Sequence, residues 1–186
     1  MGFEFTKLAK SDLEYPIIIQ KTSYADDRGS FEETYKYSDF KLNNINIDFI
    51  QDNLSYSKKG VVRGLHYQTN PKAQAKLCSV LQGKVLDFAV DIRRESSTFG
   101  KVFSVELSLE NKKMFYIPVG FAHGFIALED NTIFSYKCSD EYSKENEAGI
   151  RYDDPELELR LDRFGLDLIV SPKDLELPFL NKAKLF

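Results

Sequence analysis

An all-β fold is predicted by three observations: strict alternation of apolar and polar side chains in several short runs, a spacing of roughly eight to twelve residues between runs, and no amphipathic helix of convincing length between them. Two antiparallel sheets packed face to face as a double-sheet jelly roll satisfy all three. A parallel sheet would need a long crossover, usually helical, between its strands, and the chain leaves no room for one.

The runs begin most clearly at residue 77. In KLCSVLQGKVLDFAVDI, Leu77, Ser79 and Leu81 alternate with Cys78 and Val80, then Leu86, Phe88, Val90 and Ile92 alternate with Asp87 and Asp91. Gln82-Gly83 separates the two runs and predicts a hairpin turn. In VFSVELSLE, Phe103, Val105, Leu107 and Leu109 form one apolar face against Ser104, Glu106 and Ser108. FYIPVGFAHGFIALED and TIFSYKCSD add strands, the first broken at Pro118 and Gly120 because proline cannot donate to a ladder and glycine bends freely. Short helical turns are expected at Asp12 to Leu13, Asp39 to Leu42 and Lys173 to Leu177, with Ser171-Pro172 reading as an N-cap followed by proline at the first helical position. Gly60 to Gly64, Thr69 to Ala75 and Ser139 to Asn146 are read as connections.

With 186 residues and no composition shift, the whole chain, 1–186, is read as a single domain. Apolar residues make up 42% and charged residues 29%, which supports a packed core and excludes disorder and collagen-like repeats. A net charge of −4 without a Lys/Arg block argues against nucleic-acid binding, so a polyanionic ligand would need a locally basic pocket. No run of about 18 apolar residues occurs and the N-terminus lacks a signal core. Cys78 and Cys138 sit in apolar stretches without metal or disulfide spacing and read as buried free thiols, in keeping with a cytoplasmic protein and no membrane association.

Chemistry is sought first at His66 and His123, the two histidines, in the glycine-flanked settings RGLHYQ and GFAHGF. A histidine can take a proton near neutral pH, and Arg63 and Lys76 stand near His66 in sequence. An H-x-H pair and a third histidine are absent, so no metal site is expected; the G-x-S-x-G elbow and the phosphate-binding glycine loops are absent too.

Longer motifs then carry a resemblance: DDRGSF at 26–31, FIQDN at 49–53, GVVRGLHYQ at 60–68, KLCSVLQGKVLDFAVDIRRESSTFGK at 76–101, LSLENKKMFYIPVGFAHGF at 107–125, SYKCSDEY at 135–142 and DDPEL at 153–157. Together they resemble the dTDP-4-dehydrorhamnose 3,5-epimerase family over about residues 3–180. The resemblance implies a cupin-type jelly roll with a few short helices, a homodimer, no cofactor, and conversion of dTDP-4-dehydro-6-deoxy-D-glucose to dTDP-4-dehydro-L-rhamnose. It implies His66 as base, Asp174 as the carboxylate that orients it, Lys76 beside the developing enolate oxygen and Tyr136 as the proton donor. It further implies substrate contacts at Arg63, Lys173, His123, Gln51, Asn53, Glu147, Arg28 and Glu33, with Tyr142 stacking on the thymine. Arg28 and Glu33 lie in an N-terminal segment that in the family reaches across the dimer.

The chain departs from the family pattern at Ala75, where a glycine is usual, at Ala148, an additional residue before Gly149, and at Tyr116 and Tyr152 in place of tryptophans. Two other readings are compatible with the motifs: an epimerase acting at C3 or C5 alone, and a non-catalytic nucleotide-sugar-binding jelly roll. The latter has no need for an aligned base, carboxylate, cation and acid.

Overall fold

The computed structural model describes residues 2–9 and 14–186. Its strands are β1 (Phe3–Lys7), β2 (Ile17–Lys21), β3 (Ser23–Asp26), β4 (Gly29–Glu32), β5 (Gln51–Ser57), β6 (Val61–Gln68), β7 (Lys76–Gln82), β8 (Lys84–Asp91), β9 (Val102–Ser108), β10 (Lys113–Ile117), β11 (Phe121–Ala127), β12 (Thr132–Cys138), β13 (Glu147–Gly149) and β14 (Ile169–Val170). One sheet runs β1-β2-β10-β7-β12-β5 and the other β13-β6-β11-β8-β9, while among the described residues β3 and β4 pair only with each other. This is the expected double-sheet jelly roll of the cupin type. Among the described residues the one parallel pairing is β14 against the start of β6.

Among the described residues two short α-helices accompany the sheets. Helix α1 (Tyr37–Leu42) begins two residues before the expected turn and buries Phe40. Helix α2 (Pro172–Leu175) starts as its sequence predicts, with Ser171 Oγ accepting from the Asp174 amide and proline at the first turn. The turn expected at Asp12 to Leu13 lies outside the described residues.

Three apolar layers hold the fold. Cys78, Val80, Val85, Ala89, Phe115, Phe125 and Phe134 meet between the sheets. Val62, Leu65, Leu86, Phe88 and Val90 pack outward against the C-terminal segment around Leu157, Leu161 and Leu180. Ile17, Ile19, Leu77 and Met114 pack outward against Phe40 and Ile45. Strand β8 is therefore buried on both faces, and Asp87 and Asp91, the polar face in the alternation, are fully enclosed. Asp91 fastens the following loop, accepting from Arg93, Ser96 and Thr98. Burial pushes its carboxyl up, but those hydrogen bonds outweigh burial and hold it below the usual range.

Two local expectations are corrected. Gln82-Gly83 is not a hairpin turn: β7 and β8 lie in different sheets, and Gly83 is a corner between them with φ of +74°. One residue cannot reverse a strand onto itself, but a left-handed glycine can redirect it. Thr132 packs so closely that a Cβ on residue 83 would lie 2.5 Å from its Oγ1. Gly60 to Gly64 is not a connection, because Val61 to Gly64 belong to β6. The stretches Thr69 to Ala75 and Ser139 to Asn146 carry no strand or helix, as expected, and Ala75 keeps an ordinary negative φ.

Candidate active site

A cavity of about 870 Å3 opens between the sheets, within the range that binds small molecules. Gln51 and Asn53 (β5), Lys76 (β7) and Tyr136 (β12) line it from one sheet; Arg63 and His66 (β6), His123 (β11) and Glu147 (β13) line it from the other. Tyr142 from the loop before β13, with Lys173 and Asp174 from α2, completes the wall. All the residues singled out in the sequence are brought together here except Arg28 and Glu33. Arg28 lies exposed in the β3–β4 turn, paired with Asp26 at 2.5 Å, and Glu33 follows β4 beside Gly2.

His66 and Asp174 form the central pair, with His66 Nε2 2.7 Å from Asp174 Oδ1. The other carboxylate oxygen accepts from the Gly64 amide at 3.3 Å. Burial pushes the Asp174 carboxyl up, yet His66, the Gly64 amide and Ser171 outweigh burial and keep it below the usual range. An ionised Asp174 therefore takes a hydrogen bond from His66 Nε2, leaving Nδ1 as the acceptor nitrogen. The glycine of the RGLHYQ motif is required by this geometry: Gly64 has φ of +114°, and a Cβ there would come within 2.6 Å of the His123 carbonyl and 2.7 Å of Gly124 Cα.

Opposite stands Tyr136, whose phenol burial pushes up to about 12, so it stays protonated at neutral pH. The Lys76 ammonium lies 5.9 Å from the Tyr136 ring centre and donates to the His66 carbonyl at 3.3 Å. It is buried and has no carboxylate within ion-pair distance among the described residues. Arg63 donates to Ser57 Oγ and the Tyr56 carbonyl, again without a carboxylate partner. Lys173 and Tyr142 both reach Glu147, at 2.6 and 3.0 Å. Gln51 Oε1 accepts from the Tyr142 amide, which sets the position of that ring at the cavity mouth, and Gln51 also donates to Asn53.

The sequence reading missed Asp87. His123 Nε2 lies 2.7 Å from its Oδ1, so a second His–Asp pair sits beside the first, and His66 and His123 face each other across β6 and β11. Burial, the larger effect, lowers the His123 imidazole despite Asp87. An acidic residue inside an otherwise apolar strand was the available signal, and the strand's double burial is what conceals it. Cys78 and Cys138 are both buried and free, as expected. No helix among the described residues is long and apolar enough to cross a membrane.

Taken together, the cavity sets the His66 imidazole on one sheet and, on the other, a protonated phenol and an ammonium without a carboxylate partner among the described residues. Such a set can remove a proton from a carbon next to a ketone, stabilise the enolate and return a proton to the opposite face. Residues 10–182 match the family model described as dTDP-4-dehydrorhamnose 3,5-epimerase. A relative of that name from Methanothermobacter thermautotrophicus is 44% identical over 169 residues, 90% of this chain and 91% of the relative. The crystal structure of dTDP-4-dehydrorhamnose 3,5-epimerase from Sulfolobus tokodaii aligns with a TM-score of 0.89 at 44% identity, covering 100% of this chain and 99% of that one. A Legionella pneumophila structure, described as dTDP-6-deoxy-D-glucose-3,5-epimerase in complex with dTDP-4-keto-L-rhamnose, aligns at 0.88 and 44% identity, covering 97% of this chain and 94% of that one.

Proposed function

Because the chain belongs to the dTDP-4-dehydrorhamnose 3,5-epimerase family, we propose that it converts dTDP-4-dehydro-6-deoxy-D-glucose to dTDP-4-dehydro-L-rhamnose in dTDP-L-rhamnose biosynthesis. The observation that carries this reading is the placement of His66 and Tyr136 on opposing sheets of one cavity, with the Lys76 ammonium near the Tyr136 ring and the His66 carbonyl. A substrate C4 ketone makes the hydrogens at C3 and C5 acidic. His66 Nδ1 takes one of them, the charge moves to the ketone oxygen beside the Lys76 ammonium, and the Tyr136 hydroxyl returns a proton from the other side. Asp174 holds the imidazole and stabilises its protonated form. His66 then gives its proton to solvent and Tyr136 regains one from solvent, and the same step at the second carbon completes the inversion.

Arg63 and Lys173 are the contacts for the diphosphate, Tyr142 is the platform for thymine, and Gln51, Asn53, His123 and Glu147 complete the sugar and nucleotide contacts. This set supplies base, cation and acid without a cofactor, so EDTA is expected to leave turnover unchanged. The whole chain, 1–186, acts as a single domain. A homodimer completes the site: among the described residues the β3–β4 hairpin pairs with no other strand, and it exposes Tyr24 and Phe31 at 54% and 66%. Arg28 and Glu33 then belong to the neighbour's cavity. Two unpaired thiols fit a cytoplasmic location.

Product analysis by NMR tests the assignment. The wild-type protein is expected to yield the L-configured 4-keto sugar, and His66→Ala to yield none while unfolding at the same denaturant concentration. Comparable turnover by the variant would remove His66 from the mechanism.

A further inference from the structure

Behind His123, at the inner wall of the cavity, three side chains from three strands converge, and of these the proposed reaction uses His123 alone, as a substrate contact. Cys78 comes from β7, Asp87 from β8 and His123 from β11, and their ligating atoms all lie within 4.8 Å of one another. Cys78 and Asp87 are fully enclosed and His123 is 6% exposed. Asp87 Oδ2 is buried and meets no hydrogen-bond donor among the described residues. A buried carboxylate oxygen without a partner is costly, and a cation would satisfy it.

The spacing fits a tetrahedral centre. Bonds of about 2.3 Å to sulfur and about 2.05 Å to nitrogen put those two atoms about 3.5 Å apart at the tetrahedral angle, and Cys78 Sγ is 3.6 Å from His123 Nε2. The nitrogen-to-oxygen edge needs about 3.3 Å, so the His123–Asp87 contact of 2.7 Å has to open by a rotation of the carboxylate. His123 borders the cavity, which gives a route of entry and a water for the fourth position.

We infer that Cys78, Asp87 and His123 form a binding site for a thiophilic divalent cation such as Zn2+ or Cd2+, and that its occupation inhibits the enzyme by withdrawing His123 from the cavity. As the metal–sulfur bond forms, the thiol proton leaves to solvent. The imidazole proton passes from Nε2 to Nδ1, and no electron is transferred. A thiolate, a carboxylate and a neutral imidazole together balance the charge of the ion. Sulfur and nitrogen donors favour Zn2+ over Mg2+. The inhibition rests on the proposed function; the binding does not.

The test is titration of the EDTA-treated, dialysed protein with Co2+, read as the near-ultraviolet sulfur-to-cobalt charge-transfer band. Wild type and Cys138→Ser are expected to show the band saturating at one ion per chain, and Cys78→Ser and Cys78→Ala to lack it. In turnover assays, Zn2+ is expected to inhibit the wild type while both Cys78 variants, active without metal, lose sensitivity by at least roughly tenfold. No band in the wild type, or an equal band in either folded Cys78 variant, overturns the site. A Cys78-dependent band with unchanged Zn2+ sensitivity overturns the inhibitory role.

Discussion

His66 Nε2 and Asp174 Oδ1 lie 2.7 Å apart although 108 residues separate them in sequence. The join is made by β14, which zips onto the start of β6 in parallel, Ile169 opposite Val61 and Val170 opposite Val62. Ser171 then caps α2, which aims Asp174 at Gly64 and His66 within one turn. The pair is thus fixed by backbone pairing on one side and by a helix cap on the other.

Asp174→Asn keeps the shape of that contact and removes the charge that stabilises a protonated imidazole. Turnover is expected to fall on the order of 10²-fold or more, with little change in urea midpoint. Steady-state kinetics beside a urea melt measure both quantities, and a loss below about threefold would show that the carboxylate charge is not used.

Tyr136→Phe deletes one hydroxyl and leaves the ring in place against Phe134 and His123. Removal of the proton is expected to survive while its return from the opposite face slows, so the variant exchanges substrate hydrogen with solvent faster than it forms product. An unchanged product rate would make the phenol structural. Because burial holds it near 12, the Tyr136 hydroxyl is also expected to make no contribution to the pH–rate profile below about pH 10.

Gly64→Ala is expected to destabilise the fold by roughly 2 to 5 kcal/mol. About 1 to 2 of this comes from forcing a side chain to positive φ, and about 1 to 3 from the collision with the His123 carbonyl and Gly124. Equilibrium urea unfolding reads the sum, and a cost under about 1 kcal/mol would mean that β6 and β11 separate without penalty.

Glu32 sits between the ammonium groups of Lys21 and Lys112, each at 2.9 Å. Burial raises its carboxyl, but the two lysines outweigh burial and hold it at about 2. A folded value below the unfolded value of about 4.3 means that the stabilisation is fully present above that pH and is lost as pH falls toward 2. The stability gap between wild type and Glu32→Gln is expected to be constant at pH 6 and above and to close between about pH 4 and pH 2. A gap independent of pH over that interval would show that the ion pairs contribute nothing.

Much of the jelly roll was legible because alternation at β9 and the breaks at Pro118 and Gly120 are local signals. What alternation does not say is which face meets which neighbour. On β8 the residues Leu86, Phe88 and Val90 meet the C-terminal cover, while Asp87 turns toward the sandwich interior. For the same reason the sequence predicts a hairpin turn at Gly83 where the structure has a corner: its positive φ is local, whereas the sheet that the next strand joins is decided by distant partners. The site divides similarly. His66 and Tyr136 lie on strands whose own residues carry motifs, but the pairing of Asp174 with His66 depends on the β14–β6 contact, which no local pattern encodes and only the family resemblance anticipated.

The most direct test of the account is proton NMR of the protein with dTDP-4-dehydro-6-deoxy-D-glucose in deuterated water. Exchange of the hydrogens at both C3 and C5, with the L-configured product accumulating, is the predicted result. Exchange at one carbon alone would contradict double epimerisation, and a bound but unexchanged substrate would contradict catalysis at this cavity altogether.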